Sequence, residues 1–239
     1  MHLYSNRYYT TIFRFTVACL LLISSALSAS ELKPFDAHYR VFRDDQHVAY
    51  ADFSLHQNNG IWVWSMKTEP RGIYSWLTSK RPYIETHMRK MIDGSEKLSI
   101  EVSGDYPDKR PNRASWFDHN NHLIYYADKK KQRKLEFETP LYNYHSINLL
   151  YLDMKQKGQT EKVIQFYKGS DLKFSKVTLQ TDLEIPDGES TIKVDKLSQD
   201  FADSKDIIQY YYQNDELAPL KIEQIKEDYV SVMWRDDKK

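Results

Sequence analysis

From Phe35 almost to its last residue the chain repeats one device: an apolar or aromatic residue at every second position, a short polar turn, then the same alternation running back. Phe35, Ala37, Tyr39 and Val41 share one face, "RDDQH" reverses the chain, and Ala49, Ala51, Phe53 and Leu55 resume it. A period of two is that of an extended strand, whose successive side chains point to opposite faces, and a helix cannot satisfy it. The pattern therefore restricts the fold to antiparallel hairpins. Further reversals are expected at "HQNNG" (56–60), Asp93-Gly94, "DHNN" (118–121), Gly169-Ser170 and Asp187-Gly188. Asn, Asp and Gly tolerate the left-handed backbone that tight turns need.

Three segments depart from plain alternation. "IWVWSMK" is apolar on both faces, Ile61 and Val63 against Trp62, Trp64 and Met66, and so reads as a strand covered on both sides or lining a cavity. "EPRGIYSWLTSKRP" breaks the pairing at Pro70 and Gly72 and spaces Ile73, Trp76 and Leu77 as a short helical turn or lid. "SINLLYLDMKQKG" puts Ile147, Leu150, Tyr151 and Met154 on one stripe, with Ser146 as a cap and Gly158 as a stop. Ile84, Met88 and Ile92 are spaced for one face of a strand. The expectation is an all-β, rolled or barrel-like antiparallel meander of roughly ten strands, with one helix near residues 145–157 that plugs or brackets an opening.

Residues 1–30 have the three regions of a secretory signal: basic Arg7 and Arg14, the apolar run "FTVACLLLI" (15–23), then small residues offering cleavage near Ser28 or Ser30. The run is shorter than the roughly 20 apolar residues of a membrane-spanning helix, so no transmembrane span is expected after cleavage. Cys19, the single cysteine, precedes the strongest apolar residues "LLLI", the wrong order for a lipid-anchored start. A processed chain of residues 31–239 would form a single all-β domain without a thiol, exported to the periplasm and held by its core alone. Charges balance at 34 basic and 34 acidic, about −2 once Arg7 and Arg14 are removed, which gives no overall pull toward nucleic acid or an anionic membrane.

In "FDAHYRV", "AYADFSL", "SWFD", "GSDLKFSKVTL", "DGESTIKVDKL" and "APLKIEQIK" the chain resembles a bacterial exported family known as domain of unknown function 3108. The likeness covers nearly all of the processed chain, and lies in spacing rather than in a catalytic motif. It implies an envelope protein built on a rolled antiparallel sheet. At the helix entry the family carries an Asp followed by Leu-Ser, whereas this chain has "NYHSINLL", with Asn143 in place of the acid. Asn143 and Ser146 remain able to cap the helix.

Candidate sites are each weighed against a structural role. Asp118, His119 and His122 offer metal-ligand types, but "DHNNH" marks a turn tip, and no metal or cofactor is expected. His38, His47, His56, His87 and His145 are scattered, each more simply a strand or turn polar residue. No Gly-x-Ser-x-Gly elbow, thiol-histidine pair or phosphate loop is present, so a hydrolase would need a site assembled in space. "KKKQRK" (129–134) concentrates a local field that an acidic polymer or phospholipid headgroups would feel; it also serves as a solvated hairpin turn deterring edge pairing. The aromatic excess is the most suggestive feature: Trp62, Trp64, Trp76, Tyr83, Tyr125 and Tyr211 could line a pocket for a hydrophobic or glycan ligand, or else fill a core. The favoured expectation is a non-enzymatic envelope protein binding such a ligand, or a protein partner, through the inside or mouth of the roll. An assembly protein without a ligand is the main rival.

Overall fold

The computed structural model describes residues 32–236 except 74, 76–80, 91–95, 106–110, 139 and 189. The leader with Cys19, Trp76 and Leu77 of the expected lid, Ile92 and the Asp93-Gly94 turn lie outside the described residues. The strands and the helix all belong to the unit Pro34–Lys239.

The first half contributes β1 (Phe35–Arg43), β2 (Gln46–Asn58), β3 (Ile61–Pro70), β4 (Pro82–Lys90), β5 (Glu96–Asp105), β6 (Arg113–Asp118), β7 (Leu123–Asp128) and β8 (Gln132–Glu136). After β9 (Leu141–Tyr142) and helix α1 (Ile147–Gln156) come β10 (Glu161–Lys168), β11 (Asp171–Asp187), β12 (Ser190–Phe201), β13 (Ile207–Tyr212), β14 (Lys221–Ile225) and β15 (Val230–Arg235). The all-β meander with a helix after residue 145 is therefore present, with 15 strands among the described residues rather than about ten.

Sequential hairpins account for the ladder on both sides, but β1 also pairs with β15, Tyr39 opposite Arg235 and Val41 opposite Met233. The edges are consequently not the first and last strands of the chain, as a simple meander would have them; they are β8 and β9, in its middle. Both precede α1, which lies in the connection from β9 to β10. β9 joins β10 in parallel, Gln165 opposite Leu141. Across this seam side chains do the joining: Arg133 Nη1 reaches Asp171 Oδ1 at 3.3 Å, and Gln165 Oε1 accepts the Glu138 N–H at 2.6 Å.

"KKKQRK" is only half a turn. Asp128 Oδ1 accepts the Lys130 and Lys131 N–H groups at 2.7 Å, while Gln132, Arg133 and Lys134 belong to β8. Exposed charge on an edge strand discourages pairing with another chain.

One face of the sheet and α1 enclose the core. Tyr39, Ala51 and Phe53 meet Ile147, Leu150, Tyr151 and Met154 of the helix and Ile164, Phe166, Val177, Leu197, Ile208 and Tyr212 of the second half. Burying each large side chain contributes about 1.5–3 kcal/mol. Tyr151 lies flat on Tyr212, centroids 3.8 Å apart and planes 2° apart. The helix is thus a plug against the concave face. Ser146 does not cap it as expected: its Oγ accepts the Asn143 N–H at 2.8 Å, and Asn143 Oδ1 accepts the N–H groups of His145 at 3.2 Å and Ser146 at 2.9 Å. The cap has moved one turn back, onto Asn143.

Candidate functional site

Whether a residue of β5 points inward is decided by one extra amino acid. Thr86 of β4 faces Glu101, His87 faces Ile100, but Met88 faces Leu98, so Ser99 is a bulge. Its Oγ donates to the His87 carbonyl at 3.0 Å. Plain alternation in "KLSIEVSG" would turn Leu98, Ile100 and Val102 inward and Glu101 out. A bulge reverses the phase, so Leu98 on one side of Ser99 and Glu101 and Ser103 on the other share the concave face.

The result is a polar wall on β4 to β6: Thr86, Glu101 and Ser115 in one register row, with Ser103 two residues further along β5, each buried or partly buried. Arg113 Nε donates to Ser103 Oγ at 2.9 Å. Tyr167, from the opposite end of the sheet, meets Ser115 through hydroxyl oxygens 2.6 Å apart and sets its ring edge-on to Phe117. The turn before α1 closes over this wall. Asn143 Nδ2 donates to Glu101 Oε2 at 2.6 Å and to Thr86 Oγ1 at 2.9 Å, and His145 Nδ1 lies 2.7 Å from the same Thr86 oxygen.

The electrostatics follow from burial. Glu101 as a residue keeps some solvent exposure, yet its carboxyl contacts an Asn143 that is wholly buried. Burial pushes that carboxyl up to about 7, against the opposing pull of the Asn143 hydrogen bond and the Arg113 charge. Burial likewise drives His145 down to about 4, so the ring is neutral near pH 7. Thr86 has a single proton; donated to His145 Nδ1, it leaves the ring's own proton on Nε2.

Among the described residues that Nε2 has no hydrogen-bond partner, and neither has Trp64 Nε1. Both residues are buried, and their rings lie nearly parallel, 14° apart with centroids 5.9 Å apart. An orphaned buried donor costs about 1–3 kcal/mol. Two of them on neighbouring rings, beside a protonatable carboxyl, make a place where acceptor oxygens would be stabilised.

The expected aromatic residues do not form one pocket. Trp62 and Trp64 are on the concave face, opposite Met88 and Thr86. Tyr83 is out of phase with them, opposite Lys67 on the other face, and Tyr125 is 43% exposed there. Tyr211 packs with Val194 and Leu220 in a separate small cluster, away from Tyr210 and Tyr212 in the main core. Trp76 lies outside the described residues. In the "DHNNH" turn, Asp118 accepts backbone N–H groups of Asn120 and Asn121, and His119 Nε2 lies 2.7 Å from the Leu98 carbonyl. Among the described residues no three His, Cys, Asp or Glu side chains are grouped to hold a metal.

Sequence reasoning missed Thr86 and Glu101, and treated His145 as an ordinary polar residue. The one available signal was the departure at Asn143.

The class so defined is a barrel-like β roll, plugged by a helix, with a polar wall inside. A solved structure is similar in fold: a β-barrel-like protein of domain of unknown function DUF1849 from Brucella abortus, 11% identical, with a TM-score of 0.58 over 87% of this chain and 98% of that one. Such low identity speaks for the fold alone. No family model matches the chain, and no curated protein matches it. No helix among the described residues is long and apolar enough to cross a membrane.

Proposed function

We propose that this is a non-enzymatic, exported protein of the periplasm, of the type known as domain of unknown function 3108, that binds an oxygen-rich glycan fragment at the wall of Thr86, Glu101, Asn143, His145 and Trp64. The observation that carries this reading is the pair of buried ring nitrogens, Trp64 Nε1 and His145 Nε2, that have no hydrogen-bond partner among the described residues, next to Glu101; with Thr86 donating to Nδ1, both are N–H donors. A sugar supplies acceptor oxygens for both and an apolar face for an aromatic ring. A long hydrophobic ligand is less well suited, because α1 side chains already fill the apolar half of the concave face.

The test is native mass spectrometry of protein purified from the periplasm, before and after incubation with envelope glycan and lipid extracts. The reading expects a mass increment from the glycan extract that Glu101→Gln with His145→Gln removes. Loss of nothing in that variant, or an increment from lipid extract alone, contradicts it.

One observation favours a second reading. A carboxyl near 7 suits a general acid or base, so a hydrolase is the rival. Incubation with nitrophenyl glycosides and esters separates the two: the binding reading expects no release, and release abolished by Glu101→Gln would establish the rival.

A further inference from the structure

Trp116 of β6 stands directly opposite Tyr125 of β7, and Tyr125 opposite Lys134 of β8. This row lies on the face away from the polar wall, on three strands about 4.8 Å apart. Trp116 is 45% exposed and Tyr125 43%, an unusual loss of burial for two aromatic side chains side by side. The tip of the same β7–β8 hairpin carries Lys129, Lys130 and Lys131, all exposed. Asp128 fixes that tip through its two backbone hydrogen bonds, and its other carboxylate oxygen accepts the Tyr126 hydroxyl at 2.6 Å. Among the described residues Lys129, Lys130 and Lys134 make no ion pair. Asp118 and Glu136 share the outer face at the other end of the strands, so charge is polarised along the hairpins, with the aromatic row between the poles.

We propose that the Trp116–Tyr125 row and the lysine tip form a docking surface for an anionic phospholipid bilayer. Trp and Tyr present an apolar ring and a polar tip, the combination that settles at headgroup level. Lysine is a point charge on a flexible stem, suited to a diffuse anionic field. Recognition of discrete sulfates or carboxylates on a polysaccharide favours arginine forks. The arginine of this edge, Arg133, is turned to Asp171 and leaves the lysines to act alone. The surface is separate from the polar wall, and stands or falls without it.

The experiment is co-sedimentation with vesicles of phosphatidylcholine alone or mixed with an equal part of phosphatidylglycerol, using wild type and variants that share one N-terminus. Binding is expected to the anionic vesicles and to weaken as salt is added. Lys129→Gln, Lys130→Gln and Lys131→Gln together should weaken it by about a hundredfold, at roughly fivefold per lysine, the equivalent of about 1 kcal/mol each. Trp116→Ala with Tyr125→Ala should abolish the part of the binding that survives salt. These side chains are exposed, and an unchanged circular dichroism spectrum verifies folding. Equal binding to neutral vesicles, no effect of the lysine variant, or binding of an anionic polysaccharide in preference to vesicles would overturn the proposal.

Discussion

Asn143 hands one amide proton to Glu101 at 2.6 Å and the other to Thr86 at 2.9 Å, so a single side chain ties two strands of the concave wall to the turn that opens α1. The same residue's carbonyl oxygen organises that turn. An amide can do this because it offers donors and an acceptor at once.

Replacing Asn143 by Asp, the acid that the resembled family carries there, removes both donors and sets a second carboxyl beside Glu101. Two carboxylates that close cannot both ionise without cost, and one is forced to keep a proton. Asn143→Asp should lose about 2–4 kcal/mol near pH 8 and much less near pH 5, where a shared proton relieves the repulsion. Urea denaturation at the two pH values measures the difference.

Glu101 gives the wild type a pH dependence of its own. Its folded value, about 7, lies above the ordinary 4.5, so between the two the folded state binds a proton that the unfolded state does not. The stability it contributes is complete below the ordinary value and is lost as pH rises through about 7. Glu101→Gln removes that loss: the variant should be more stable than wild type by about 1–3 kcal/mol near pH 8.5 and similar to it near pH 5.

His145 acts with the opposite sign. Burial lowers it from 6.5 to about 4, and its contribution, present above the ordinary value, is lost as pH falls through about 4. Between roughly pH 4.5 and 6.5 the two groups offset each other in the wild type. In the Glu101→Gln background only the histidine slope remains, so denaturation midpoints should climb with pH across that window. A flat profile in the variant would contradict a neutral, buried His145.

Tyr212 tests the helix plug. Its hydroxyl donates to Asn148 Oδ1 at 2.7 Å, in a fully buried contact beneath the stacked Tyr151 ring. Tyr212→Phe keeps the stack and strands the acceptor, which should cost about 1–3 kcal/mol. Asn148→Ala, which removes the acceptor and also its bond to the His145 carbonyl, should reduce the further effect of Tyr212→Phe in a double-mutant cycle.

The alternation of Phe35 to Leu55, the turn residues and the stripe of Ile147, Leu150, Tyr151 and Met154 made the hairpins and the helix legible, because these are local periodicities. The partner of β1 was not legible: pairing with β15 joins residues nearly two hundred positions apart, which no short-range pattern encodes. The site was hidden by a different cause. Ser99 is an unremarkable residue in a strand, and only the register reveals that it reverses which face Glu101 meets. The aromatic set failed to converge for the same reason, since Tyr83 and Tyr125 are out of phase with Trp62 and Trp64.

The central claim is that Trp64 and His145 hold their unpaired donors ready for a ligand. Nitrogen-15 NMR of the indole and imidazole groups during titration with an envelope glycan fraction reads both atoms directly. The account predicts a saturable shift of the Trp64 Nε1–H signal together with His145, both absent in Glu101→Gln with His145→Gln, while Trp116 stays unmoved. Signals of Trp64 and His145 that ignore the glycan, or a response confined to Trp116, would contradict it.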